Sequence, residues 1–203
     1  MEEKEVKVRG IINADVGPGM SVAYALLCIP FFVNAMGWGN SAGFAFSMGL
    51  IQLGYFVMYM VCGMHFLKTG NLISGGIYVV FAAAFGLFGG LGNLSVALCP
   101  KWGIQYDPML TNVCFVFAGI YLLCILPALR YASKLDFLGI MGAGIGVTSF
   151  GLAGFGVLPA VLGKVGGCGI LVSGLTSYYL GIAGHLKVSG IFLSGGQPFF
   201  KKE

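Results

Sequence analysis

Long uncharged stretches constrain this chain more than any other feature. A helix needs about 20 apolar residues to cross the hydrocarbon core of a bilayer. Asp, Glu, Lys and Arg are missing from five segments, residues 16–67, 69–100, 108–129, 137–163 and 165–186. The first segment has room for two such helices and each of the others for one. The sequence therefore predicts an all-α integral membrane protein, a bundle of six transmembrane helices.

The composition agrees with this fold class. Of the residues, 58% are hydrophobic and 9% are charged, whereas a soluble domain has about 25% charged residues. The apolar stretches are continuous, which favours helices over the alternating strands of a barrel. We place the spans approximately at residues 17–37, 42–67, 72–98, 109–129, 136–158 and 165–186. They form a single domain over residues 1–203, with a short polar N-terminal segment at 1–12 and a short C-terminal tail at 187–203.

Lys and Arg are distributed unequally between the two sides that six spans define. One side carries both termini and nine of these residues, Lys4, Lys7, Arg9, Lys68, Arg130, Lys134, Lys187, Lys201 and Lys202. The other side carries only Lys101 and Lys164, with Trp38 and Trp102 at its rim. Cytoplasmic loops hold the excess of Lys and Arg, and tryptophans collect at membrane interfaces. We therefore predict a multi-pass inner-membrane protein with both termini in the cytoplasm, and we read the net charge as a topology signal with no nucleic-acid partner.

No pattern typical of an enzyme or a metal site occurs. The sequence lacks a Ser-His-Asp or Cys-His order, a phosphate loop and a carboxylate deep inside a span. The six cysteines form no CxxC pair, and a free Cys in an apolar span behaves as a small hydrophobe. We expect no catalytic residues, no metal and no cofactor. The expected partners are the lipid bilayer and a transported solute.

Polar residues on two spans are candidates for contact with that solute. Gln52, Tyr55 and Tyr59 lie on one face of the second span. Lipid cannot satisfy a polar stripe, so it faces either a pore or a neighbouring helix with which it forms hydrogen bonds. Thr176 and Tyr178 in the sixth span belong to a similar but weaker group, because Ser and Thr often bond to their own backbone.

The start of the third span is a candidate anion site. Asn71 and Ser74 lie in a Gly-rich stretch, residues 70–76. Helix N-termini expose unpaired N–H groups that attract anions, and discontinuous transporter helices use this device for substrate carboxylates. The alternative is a flexible helix start without a ligand.

Small residues four apart recur in the spans. The pairs are Gly39 and Gly43, Gly86 and Gly90, Gly142 and Gly146, and Gly163 and Gly167. Such pairs let helix backbones approach closely in lipid. They predict tight packing within the protomer and between protomers.

Three stretches resemble the acetate uptake transporter family, the succinate–acetate permeases. They are Gly63 to Lys68 with Gly70-Asn71, then Pro100-Lys101-Trp102-Gly103 followed by Asp107-Pro108, and finally Gly169 through Tyr178. In the first stretch the family continues with Thr-Phe-Gly, where this chain has Leu72-Ile73-Ser74. Phe81 aligns with a family Tyr thought to narrow the pore.

The resemblance implies a pore within each protomer, assembly into a homo-hexamer, and passage of acetate and similar small monocarboxylates. It adds Phe81 to the expected substrate contacts. Two other functions remain open. One is a channel for a small neutral solute such as urea or a short amide, because acidic groups are absent from the spans. The other is a membrane scaffold subunit that transports nothing.

Overall fold

The computed structural model describes residues 15–39 and 41–200, and every regular element within them is helical. The helices are α1 (Gly17–Ala35), α2 (Ala42–Lys68), α3 (Leu72–Trp102), α4 (Met109–Cys124), α5 (Lys134–Gly154) and α6 (Pro159–Val188). Five of them are long and apolar enough to cross a membrane, and α4 is shorter, with 16 residues. The all-α membrane fold is therefore confirmed. The polar segment 1–12 lies outside the described residues.

Most predicted span ends agree with the structure within a few residues, and two do not. The predicted span 109–129 loses its last five residues, because α4 ends at Cys124 and a 3₁₀ turn follows at Leu126–Leu129. Pro127, inside that turn, has no N–H with which to continue an α-helix. Helix α6 begins at Pro159 rather than at residue 165, since Pro is well suited to the first position of a helix.

The six helices form a ring in chain order. Helix α1 packs closely on α6, α6 on α5, and α5 on α4, while α2 packs closely on α3. Sparser contacts join α1 to α2 and α3 to α4, and they close the ring. We call the end with the α2–α3 and α4–α5 connections the tail end. The opposite end, with exposed Trp38 and Trp102, is the tryptophan end.

Glycines allow close contacts between helices of the protomer. A Cβ atom built on Gly142 would lie 2.8 Å from the carbonyl oxygen of Gly169, and one on Gly146 would lie 2.9 Å from that of Gly166. This pair, predicted from its spacing, therefore lies at the α5–α6 contact. A Cβ atom built on Gly163 would have no atom of another helix within 4 Å.

Helix α3 contains a π-helical segment that the predicted span 72–98 does not include. The helix is α-helical to Phe81, π-helical over Ala82–Phe88 and α-helical again from Gly89. Within the segment, a Cβ on Gly86 would lie 2.6 Å from Cα of Phe56 on α2. The missing side chain thus lets α2 approach the backbone of the π-helical segment directly.

The chain after α6 folds back along the tail end. The hydroxyl of Tyr179 donates to the carbonyl of Ser194 at 3.0 Å. The backbone N–H of Leu135 donates to the carbonyl of Gly195 at 3.1 Å. The ring of Phe199 lies 5.4 Å from that of Phe137. These contacts hold the tail against the first turn of α5.

Candidate functional site

A cavity of about 330 Å³ lies at the tail end of the ring. We call it the tail-side cavity. Its wall combines apolar side chains with hydroxyl groups from four helices, namely Ser21, Tyr24, Tyr59, Ser74, Tyr78 and Ser177. Hydroxyl groups both donate and accept hydrogen bonds. The cavity is therefore suited to a small polar solute.

Tyr59 is the most informative residue of this wall. Its side chain is 0% exposed, and its hydroxyl is the one buried side-chain polar atom without a hydrogen-bond partner in the described part of the chain. Leaving a buried polar group unpaired costs about 1–3 kcal/mol. The same residue belongs to the wall of the tail-side cavity.

Near Tyr59, two other buried hydroxyls are bonded to each other. The Tyr24 hydroxyl on α1 and the Ser173 hydroxyl on α6 are 2.9 Å apart and buried. The Tyr24 ring also packs against Phe81, with centroids 5.3 Å apart. Tyr24 was not among the predicted site residues, because a single Tyr in an otherwise apolar span forms no stripe.

A smaller cavity, of about 200 Å³, lies at the tryptophan end. We call it the tryptophan-side cavity. Its polar wall consists of Asn34, Asn93, Tyr106, Thr111 and Asn112. The hydroxyls of Tyr106 and Thr111 are 3.1 Å apart. The sequence analysis missed these residues too, because they come from three different helices and the loop before α4, and only the fold brings them together.

A layer of phenylalanines separates the two cavities. Phe81 lines the tail-side cavity, while Phe31 and Phe115 line the tryptophan-side cavity. Phe85 lies between them, and its ring centroid is 5.0 Å from that of Phe81, 5.4 Å from Phe31 and 5.5 Å from Phe115. We call the two cavities together with this layer the path, and the layer closes it in the middle.

The predicted stripe on α2 divides into two kinds of residue. Gln52, 0% exposed, donates from Nε2 to the carbonyl of Phe85 at 2.8 Å and accepts from Nδ2 of Asn93 at 2.5 Å. The Tyr55 hydroxyl donates to the carbonyl of Ala23 at 2.7 Å. These two residues bond to neighbouring helices, whereas Tyr59 lines a cavity.

The other predicted residues are also dispersed. Ser74 and Phe81 line the tail-side cavity. Asn71 is exposed, and its side chain accepts from the N–H of Ser74 at 3.1 Å, which caps α3. The Thr176 hydroxyl donates to carbonyls of its own helix. Tyr178 is 45% exposed and lies outside both cavity walls.

Charge is nearly absent from the path. Among the described residues that line the two cavities, Asp136 is the one with a charge, and it is exposed at the tail end. Its carboxylate accepts from the Ser133 hydroxyl at 2.5 Å. Residues 15–39 and 41–200 contain no cluster of three or more potential metal ligands, and all six cysteines are free thiols.

The same arrangement of helices occurs in a solved structure of another protein. A bacterial acetate channel, SatP, superposes with a TM-score of 0.68 over 94% of this chain and 99% of that chain, at 15% identity. This chain has the SatP fold. The resemblance to acetate uptake transporters is thus confirmed at the level of the fold. No protein-family model matches the sequence, and no curated protein matches it either.

Proposed function

We propose that this chain is a membrane channel for acetate and similar small monocarboxylates, and a member of the acetate uptake transporter family. The observation that carries the proposal is the path itself, with a polar cavity at each end of a SatP-type ring and one aromatic layer between them. Cavities of about 330 and 200 Å³ admit a solute of a few heavy atoms.

The chemistry of the wall supports passage of a small carboxylate. Acetate has a pKa near those of Asp and Glu, so it is an anion at pH 7. An anion in a low-dielectric environment needs compensating donors. The hydroxyls of Tyr59 and Ser74 in the wall of the tail-side cavity are the donors that we assign to this role. A path without Lys or Arg in its described wall lets the anion leave again, because weak binding is a condition for conduction.

A small neutral solute such as urea is the second candidate. Two observations favour it. Asp136 places a negative charge at the mouth of the tail-side cavity, which opposes an approaching anion. The wall of the tryptophan-side cavity includes three Asn side chains, which hydrogen-bond neutral amides as readily as carboxylates.

Flux measurements in proteoliposomes test both candidates. We expect purified protein to raise acetate uptake well above that of empty liposomes, and to raise urea uptake far less. Tyr59→Phe should lower acetate uptake several-fold, because it removes the unpaired hydroxyl. Tyr178→Phe, which removes an exposed hydroxyl outside the path, is the matched control and should behave like the wild type.

The outcomes separate the candidates. Urea uptake without acetate uptake would replace the carboxylate proposal by the neutral-solute one. If folded protein carries neither solute, the chain is not a channel for either and the scaffold interpretation takes its place.

We also propose that the chain assembles into a homo-hexamer. Large apolar side chains on α6 point away from the ring, including Val172, Leu175 and Ile182. Such a surface contacts either lipid or another protomer. Native mass spectrometry of the detergent-solubilised protein counts the copies, and a monomer at all concentrations would overturn this proposal.

A further inference from the structure

We infer that Phe85 is the gate of the path and determines which solutes pass, and that Gln52 holds it in the closed position. The inference rests on the proposed function for the identity of the solute. The closure itself follows from the contacts of Phe85 alone.

Phe85 is placed differently from every other ring in the aromatic layer. It is 2% exposed and lines neither cavity. Phe81 lies at the floor of the tail-side cavity, and Phe31 and Phe115 at the floor of the tryptophan-side cavity. Phe85 contacts all three rings. Removal of this one side chain therefore joins the two cavities, whereas removal of another ring enlarges the cavity that it already lines.

The backbone around Phe85 has the features of a movable element. Phe85 lies in the π-helical segment Ala82–Phe88. Such segments are rare inside α-helices and often occur at functional sites. They are also among the identified causes of helix kinks, because the regular i→i−4 ladder is interrupted there. A return of this segment to α-helical geometry would rotate the Phe85 side chain out of the layer.

Gln52 stabilises the π-helical geometry from the neighbouring helix. Its Nε2 donates to the backbone carbonyl of Phe85 at 2.8 Å, and its Oε1 accepts from Nδ2 of Asn93 at 2.5 Å. One buried amide thus bonds to α3 on both sides of Gly89. A buried amide without these bonds is strongly disfavoured in an apolar environment, so the two bonds hold the segment in place.

Asn93 connects this gate to the solute. It lines the tryptophan-side cavity while its amide donates to Gln52. The Asn93 amide has two N–H groups, so an acceptor in that cavity can bind the one that Gln52 does not take. A solute bound there would shift the orientation of the Asn93 amide to which Gln52 is bonded, and so couple its arrival to the position of Phe85.

Substitution of Phe85 tests the gate, with two independent measurements. Phe85→Ala should raise the osmotic water permeability of proteoliposomes several-fold, because it joins the two cavities. It should also raise the ratio of butyrate to acetate uptake. Phe85→Leu should give a smaller change in both.

Gln52→Met, which keeps the volume but loses both hydrogen bonds, should change both values in the same direction as Phe85→Ala. Phe117→Ala is the matched control, because Phe117 is 68% exposed and outside the path.

The results distinguish failure of the gate from failure of the proposed function. If wild-type protein carries no acetate, the proposed function fails, and the water measurement still tests the gate. If wild-type protein carries acetate but Phe85→Ala and Phe85→Leu match Phe117→Ala in water permeability and in solute ratio, Phe85 is not the gate. If Phe85→Ala does not elute as a folded protein, Phe85→Leu decides the question alone.

Discussion

At the residue scale, Tyr59 separates what a polar stripe can predict from what it cannot. The spacing of Gln52, Tyr55 and Tyr59 correctly predicts polar side chains that face protein rather than lipid. It leaves open whether each one bonds to a helix or lines a path. The answer depends on the neighbour. Gln52 meets the carbonyl of Phe85 and Tyr55 meets that of Ala23, whereas Tyr59 meets a cavity. The sequence of one helix does not show which neighbour each of its side chains meets.

The unpaired hydroxyl gives a stability prediction. Tyr59→Phe should leave Tm unchanged or slightly raised, because it removes a buried donor that has no partner. Tyr24→Phe should lower Tm, because it leaves the Ser173 hydroxyl without its partner at a cost of about 1 kcal/mol. Thermal unfolding of both variants in the same detergent provides the comparison. An equal loss of Tm in the two variants would mean that Tyr59 is satisfied in the native protein.

At the element scale, the sequence predicts which segments cross the membrane. It does not predict where a helix departs from regular α-helical geometry. Charges, Pro and Gly mark the helix ends, so most predicted ends agree with the structure. The π-helical segment has no such marker. Its residues, Ala82–Phe88, are apolar, and its one glycine, Gly86, is like many others in the spans. The Phe85 carbonyl inside it accepts from Gln52, 33 positions away along the chain. The same reason explains why the gate was not among the predicted site residues while Phe81 was.

Glycine substitutions test the packing of α5 on α6. Gly146→Leu should reduce the yield of folded protein and lower Tm, because its side chain would meet the backbone of Gly166. Gly163→Leu should retain wild-type stability, since nothing lies within 4 Å of its added Cβ. Size-exclusion elution and thermal unfolding measure both effects. A folded Gly163→Leu that loses only its oligomeric state would place Gly163 between protomers. A stable Gly146→Leu would contradict the α5–α6 contact described here.

At the scale of the whole molecule, the ring defines two ends but not which one faces the cytoplasm. The excess of Lys and Arg predicts a cytoplasmic tail end. In a cysteine-free background, Lys68→Cys should resist a membrane-impermeant thiol reagent in intact cells, and Lys101→Cys should react with it. Both positions are exposed in the structure, so access to them depends on sidedness alone. Labelling of Lys68→Cys from outside would invert the orientation.

The unequal contacts around the ring determine which helix pairs can form early during synthesis. Of the six described helices α1 is synthesised first, yet its main partner is α6, the sixth. At roughly 5–20 residues per second, the chain between them takes on the order of 10 s to make. Helices α2 and α3, by contrast, are joined by a short turn and pack closely on each other, so they can insert as a hairpin at once. During synthesis α1 therefore lacks its main partner until α6 arrives, and only then is the wall of the tail-side cavity, which includes Ser177 of α6, complete.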